Sequence, residues 1–159
     1  MKLIVLSDSH DNYEAVYDIV TRNSEKAESF IHLGDGVNLR VMEHYSNIKY
    51  NYVVGNHDGP AYQSSHYASV VLTFGSRRIF MTHGDKCDVK LDLLQLVYEG
   101  KAERADIILF GHTHKSLLEI REGITLLNPG AVAYPRNCAA SYAVIDINGE
   151  ECYIKIVSL

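Results

Sequence analysis

Cysteine is scarce: Cys87, Cys138 and Cys152 are the only three in 159 residues, an odd number with no Cys-x-x-Cys spacing. A zinc ribbon or a redox pair is thereby excluded, and reduced thiols are expected. Basic residues are in deficit too. Fifteen lysines and arginines against twenty aspartates and glutamates leave a net charge of -5 and a pI of about 5.9. The cationic footprint of a protein that grips an extended nucleic-acid backbone is missing. Long apolar runs are absent as well. The N-terminal run over residues 3–6 is too short for a signal peptide core or a membrane span, so a cytoplasmic location with no membrane partner is expected. No repeat, low-complexity tract or Pro/Gly/Ser-rich linker interrupts the sequence, and residues 1–159 are read as one domain. With 47% hydrophobic and 22% charged residues, the balance is that of a globular protein rather than a disordered or fibrous one.

The apolar run over residues 3–6, ending in Ser7-Asp8, predicts a strand buried on both faces. Asn12 can cap a helix in which Ala15, Val16, Ile19 and Val20 recur at helical spacing, closing near Asn23-Ser24. The same strand pattern covers residues 30–33 before Gly34-Asp35, followed by a weaker helix over 39–45. It covers residues 50–54 again, before a turn-rich loop running from Gly55 to Pro60. Residues 68–74 and 77–82 predict a hairpin around Gly75-Ser76, its second strand ending in His83-Gly84-Asp85. A helix is expected over 89–98 and a strand over 107–110. Further strands are expected over 117–121, 124–127, 142–147 and 152–157, with turns at Glu122-Gly123 and Asn148-Gly149. Mixed elements of this kind point to sheets covered by helices on their outer faces.

Polar residues able to hold a metal follow five of these strands: Asp8-Ser9-His10, Gly34-Asp35, Gly55-Asn56-His57-Asp58, His83-Gly84 and Gly111-His112-Thr113-His114. The lead residues are separated by 27 (8 to 35), 21 (35 to 56), 27 (56 to 83) and 29 (83 to 112) positions, each long enough for the chain to leave and return to one edge. Ligands gather at the carboxyl ends of strands in open α/β sheets. In extended backbone i and i+2 share a side, so Asp8 with His10, and His112 with His114, are expected to point two donors inward. Glycine beside four of the five segments permits close backbone approach. Two carboxylates, four imidazoles and an asparagine, with no thiolate, suit borderline divalent ions such as Mn²⁺, Fe²⁺, Zn²⁺ or Ni²⁺. Seven donors exceed the needs of one tetrahedral ion, whereas two ions sharing a carboxylate would use them all.

The ordered set Asp-x-His, Gly-Asp, Gly-Asn-His-Asp, His-Gly and Gly-His-Thr-His resembles the calcineurin-like metallophosphoesterase superfamily. Asn128-Pro129-Gly130 and Pro135-Arg136 are similar to the C-terminal motif of its small, prokaryotic YfcE-like phosphodiesterase branch. The resemblance implies an α/β (α+β) fold: two mixed β-sheets packed as a sandwich and flanked by helices, four layers in the order α/β/β/α, without a cap domain. It implies two divalent metal ions, with Mn²⁺ foremost and Ni²⁺, Fe²⁺ or Zn²⁺ as alternatives. Asp8, His10 and His114 would hold one; Asn56, His83 and His112 the other; Asp35 would bridge them. Asn56 and His57 would lie at the phosphoryl group, with His57 either hydrogen-bonding it or protonating the leaving oxygen. From its own chemistry, Arg136 is read either as a planar contact to phosphate or as a surface charge. A small phosphodiester attacked by a metal-bridging hydroxide is the implied substrate, and a homo-oligomer stays open. A phosphomonoesterase and a non-catalytic scaffold on the same fold are the alternatives. Asn38 departs from the pattern, standing where many relatives carry a second aspartate, a change expected at the pocket rim.

Asp11, Asp58 and Asp85 adjoin these segments and are read either as partners that orient a ligating imidazole or as solvated loop carboxylates. His32, His44 and His66 occupy no strand end and are read as structural or solvated. The eleven tyrosines, Tyr134 among them, are too scattered for a stacking platform.

Overall fold

The computed structural model describes residues 1–36, 49–136 and 138–159. The helix expected over 39–45, with His44 and the neighbouring Asn38, lies outside them.

Strands β1 (Lys2–Leu6), β2 (Ser29–His32) and β3 (Lys49–Tyr52) run parallel, and β9 (Ser141–Asn148) and β10 (Glu151–Ser158) complete a five-stranded sheet in the order β10-β9-β1-β2-β3. A second five-stranded sheet, in the order β4-β5-β6-β8-β7, joins β4 (Ser69–Phe74), β5 (Arg77–Thr82), β6 (Ile107–Leu109), β7 (Ser116–Arg121) and β8 (Ile124–Pro129). Both sheets are mixed: β5, β6 and β8 are mutually parallel, while β4, β7, β9 and β10 each pair antiparallel.

The continuous apolar runs explain the layering. In β1, Leu3 and Val5 face the core between the sheets, together with Ile79, Met81, Ile107, Leu109 and Leu127. Ile4 and Leu6 face the other way, onto Val16, Ile19 and Val20 of helix α1 (Tyr13–Asn23). In the second sheet Phe80, Ile108 and Phe110 turn outward onto Leu96 and Val97 of helix α3 (Leu94–Ala102). Three apolar interfaces therefore separate four layers, in the order helix, sheet, sheet, helix. A strand's alternate side chains point to opposite faces, so only strands apolar at every position can serve two interfaces. The central strands β1, from Leu3 onward, and β6 are of that kind.

Helix α1 starts as its sequence dictates, with Asn12 Oδ1 accepting the Ala15 amide at 3.2 Å. Two expectations need correction. The helix expected over 89–98 begins at Leu94, because Asp85–Cys87 form a 3₁₀ turn that ends with Asp88 at a left-handed φ of 49°. An αL residue breaks helical continuation. The helix starts afresh where Asp92 Oδ1 caps the Leu94 amide at 2.8 Å. The strand expected over 50–54 ends at Tyr52, and a short helix α2 (Pro60–Ser65) follows the turn-rich loop, with proline in its first turn. No helix among the described residues is long and apolar enough to cross a membrane.

Leu109 is fully buried between the sheets at the end of a central strand. Leu109→Ala is expected to cost about 2–5 kcal/mol, read as a fall in midpoint in thermal and denaturant unfolding, while Leu109→Met costs less than about 1.5 kcal/mol.

Candidate metal centre

The ends of β1, β2, β3, β5 and β6 meet at one end of the sandwich, and backbone bonds knit them together. Within the first sheet the Asp8 amide donates to the Gly34 carbonyl at 3.1 Å and the His10 amide to that of Asp35 at 2.8 Å. Within the second, the Gly111 amide donates to the His83 carbonyl at 2.9 Å. Two bonds then cross between the sheets: His83 Nδ1 donates to the Leu33 carbonyl at 2.7 Å, and the His112 amide donates to Asp8 Oδ2 at 3.1 Å. The expected single crevice of an open sheet is thus a seam between two sheets.

Six of the seven expected donors fall into two groups, Asp8 with His10 and His114, and Asp35 with His83 and His112, the donor atoms of each lying within 4.8 Å of one another. Asn56 is exposed in the turn after Gly55, and His57 beside it is exposed too. The His57 amide donates to Asp35 Oδ1 at 2.8 Å, and its ring lies 5.8 Å from that of His10. Arg136 is exposed, with its amide donating to the His114 carbonyl at 2.9 Å.

The extended geometry expected for Asp-x-His and His-x-His is not what brings these donors together. Asp8, His10, Asp35, His112 and His114 all have left-handed φ, between 44° and 65°. Each such residue costs roughly 1–2 kcal/mol, and clusters of this strain mark sites where function overrides local preference. Tight turns, not pleated strands, aim both donors of each motif at one point. Close approach also explains two of the glycines. A Cβ at Gly111 would lie 2.0 Å from Ser7 Oγ, and one at Gly55 would lie 2.2 Å from Asp35 Oδ1.

The donors fit divalent ions. Asp8 Oδ2 accepts from Ser7 Oγ at 2.6 Å as well as from His112, whereas Oδ1 is buried, accepts no hydrogen bond and lies 3.2 Å from His114 Nε2. In the other group, His83 Nε2 lies 3.3 Å from Asp35 Oδ2 and 3.1 Å from His112 Nδ1. Two rings have their far nitrogens tied to carbonyls, His83 to Leu33 and His114 to Tyr134 at 2.8 Å, which leaves Nε2 of each with its lone pair toward the site. Burial opposes ionisation of Asp35, but the hydrogen bond with His83 and the His57 amide prevail and hold its carboxyl down at about 2. Asp8 is likewise lowered: His114, His83 and Ser7 outweigh its burial. Asp8 raises His114, and Asp35 raises His83 against its burial. Burial and the nearby His83 push His112 down to about 4.

Two supporting residues were harder to see in the sequence. Asp58 is buried, and its carboxylate accepts the amides of Asp35 (3.1 Å), Gly36 (3.0 Å) and Gly55 (2.7 Å) and the Tyr52 hydroxyl. It orients no imidazole; it ties the loop after β2 to the loop after β3. Asp11 is exposed and Asp85 pairs with Lys86 at 3.6 Å. His32 is buried, with Nδ1 accepting the Gly34 amide at 3.2 Å and Nε2 facing Ser9 Oγ at 2.8 Å, so it is a neutral imidazole joining the first two loops. Burial pushes it down to about 4. The strand-end position of Gly-Asn-His-Asp was a signal for Asp58; nothing local marked His32. His66, half-buried after α2, stacks on Tyr62. Tyr134, discounted as a scattered tyrosine, stands 74% exposed with its ring 5.4 Å from that of His10 and φ at 54°.

A model of the calcineurin-like phosphoesterase superfamily domain matches residues 1–150. The Bacillus subtilis protein YsnB, which bears the name "probable metallophosphoesterase", is 31% identical over 159 residues, covering 98% of this chain and 89% of its own. A phosphodiesterase of Methanocaldococcus jannaschii is 26% identical over 144 residues, covering 82% of this chain and 83% of its own. The crystal structure of a predicted phosphoesterase from Streptococcus pneumoniae superposes with a TM-score of 0.84 at 28% identity, covering 99% of this chain and 88% of that one. Vacuolar protein sorting 29 of Cryptosporidium parvum superposes at 0.82 with 20% identity, covering 99% and 91%; that likeness is one of fold.

Asp58→Asn removes acceptor capacity from the three amides that fix two donor loops. It is expected to weaken Mn²⁺ binding by about 10–100-fold, measured by calorimetric titration of the folded variant. Metal uptake should also release protons. His83 and His114, raised above the ordinary histidine value, are protonated in part at neutral pH, and a metal needs their lone pairs. Affinity is therefore expected to fall as pH is lowered from neutrality, by at most about tenfold per pH unit for each displaced proton. Calorimetry in buffers of different ionisation enthalpy reads the protons released.

Proposed function

The chain belongs to the calcineurin-like phosphoesterase superfamily, and from that premise we propose that it is a phosphodiesterase acting on small diesters with two divalent metal ions. The observation that carries the reading is the pair of adjacent three-donor groups, joined where Asp8 accepts the His112 amide. One group would suffice for a single ion. Asp8, His10 and His114 would hold one ion, and Asn56, His83 and His112 the other, with Asp35 between them. Mn²⁺ is the foremost candidate for this oxygen and nitrogen set, with Ni²⁺, Fe²⁺ or Zn²⁺ as alternatives.

Two bound divalent ions supply a water activated near neutral pH and positive charge opposite the phosphoryl oxygens. Asp8 and Asp35, both lowered, remain ionised throughout the physiological range and offset part of that charge. The Leu33 and Tyr134 carbonyls keep His83 and His114 from rotating. His57 has its backbone pinned to Asp35 while its ring is free in solvent beside His10. From there the ring hydrogen-bonds a phosphoryl oxygen and gives a proton to the departing alcohol. Arg136 reaches the same rim from the loop behind His114. The exposed rim suits diesters such as aryl diesters and cyclic nucleotides, and the name of the M. jannaschii relative supports a diester substrate.

Mn²⁺-stimulated, chelator-sensitive hydrolysis of bis(p-nitrophenyl) phosphate tests the reading. Turnover of monoesters alone would refute the diester preference, and a metal-loaded protein inert toward both classes would favour a scaffold. His57→Ala is expected to keep its metal and lose about 10²–10⁴-fold in kcat on a cyclic nucleotide. The loss should be smaller on the aryl diester, whose phenolate leaves without a proton. Asp35→Asn is expected to lose metal as well as rate; equal metal loss in the two variants rules out this division of roles.

A further inference from the structure

A groove of about 660 Å³ lies beside the metal centre, within the size range of small-molecule sites. It connects to the centre at two points. Thr113, which lines it, lies between His112 and His114 in the chain, and Arg136, which also lines it, donates its amide to the His114 carbonyl at 2.9 Å. Its walls are apolar: Phe110 and Leu117 from the second sheet, and Leu91, 84% exposed, from the segment before α3. Its charge is opposite to that of the chain as a whole.

Lys90, Lys115, Arg121 and Arg136 line the groove against one carboxylate, Asp92, and Asp92 is engaged in capping the Leu94 amide. Arg121 pairs with Glu119 through Nε, while Lys90, Lys115 and Arg136 make no ion pair among the described residues. In a protein of net charge -5, three unpaired cations around an apolar trough gain nothing from one another. Like charges gathered without partners are repulsive, and the arrangement becomes favourable when an anion enters.

We propose that this groove is the subsite for one arm of the diester, and that the arm it takes is a nucleoside carrying a second phosphate. The apolar walls accept the base and sugar, and the unpaired Lys90 and Lys115, with Arg121 beside them, accept the extra phosphate. The proposal rests on the phosphodiesterase reading and narrows it to short, terminally phosphorylated nucleotides. In the reaction water adds across the ester: the P–O bond to the groove-bound arm breaks, a P–OH bond forms, and the second proton of the water ends on the released sugar hydroxyl.

The test compares the 5′-phosphorylated dinucleotide pApA with ApA, using bis(p-nitrophenyl) phosphate as a reference. kcat/KM for pApA is expected to exceed that for ApA by about 10–100-fold, the worth of one charge-assisted contact. In Lys90→Ala/Lys115→Ala/Arg121→Gln that ratio is expected to fall close to one. Equal rates on pApA and ApA, with the aryl diester still turned over, overturn the groove assignment and leave the phosphodiesterase reading intact. Failure to hydrolyse any diester removes that reading, and the assignment with it. A second measurement is independent of turnover. Adenosine 5′-monophosphate, added to the full chain in chelator, is expected to shift the amides of residues 89–93 and 115–121 in NMR spectra, and adenosine is not. No shift with either compound, or the same shift with both, overturns the proposal.

Discussion

The Asp8 carboxylate holds the two sheets together at the place where chemistry is possible. It is buried at the end of the central strand of the first sheet, yet it accepts the His112 amide from the end of the central strand of the second. A charge removed from water must be compensated or it shifts to its neutral form. The ring of His114, the nearby His83 and the Ser7 hydroxyl supply that compensation, so the carboxyl is lowered despite its burial. One oxygen remains without a hydrogen bond. The same group that joins the sheets therefore presents an open acceptor to a cation.

The surrounding loops follow from this constraint. Strand ends that converge across a seam cannot continue their ladders, so their amides and carbonyls need other partners. Asp58 takes three of the amides, His32 bridges the loops after β1 and β2, and Leu33 and Tyr134 offer carbonyls to imidazoles. Five donors stay in left-handed backbone, a cost that persists because these bonds over-determine each turn. The cationic groove grows from the same loops, since Thr113 and Arg136 belong both to its lining and to the turns that carry His112 and His114.

Much of this was legible in the chain. Leu3 to Leu6 and Ile107 to Phe110 are apolar at every position, and they occupy the centres of the two sheets with faces toward two interfaces. Asn12 capped its helix as expected. The start of α3 is not legible in the sequence, because the apolar spacing of Val89 and Leu93 persists through a segment that Asp88 turns out of helical register. The inward aim of Asp8 with His10 was expected for the wrong reason, since period-two geometry belongs to strands and these residues lie in turns. Asp58, which its place beside Asn56 and His57 suggests as an imidazole partner, binds backbone amides instead, and His32 is structural for the donor loops themselves.

The sequence by itself determined most of the strands and the first helix, the order of the donor residues and the oxygen and nitrogen character of the donor set. Those properties reside in local periodicity and in side-chain chemistry, which neighbours in the chain display directly. Only the tertiary structure decided that Asp8 with His10 and His114, and Asp35 with His83 and His112, meet at a seam between two sheets, that left-handed turns aim them, and that an acidic protein gathers four cations beside them. Each of these depends on bonds between residues far apart in the chain, such as the His112 amide with Asp8 and the Asp35 amide with Asp58. Such bonds leave no periodic trace, because the geometry that makes them exists only once both sheets have packed.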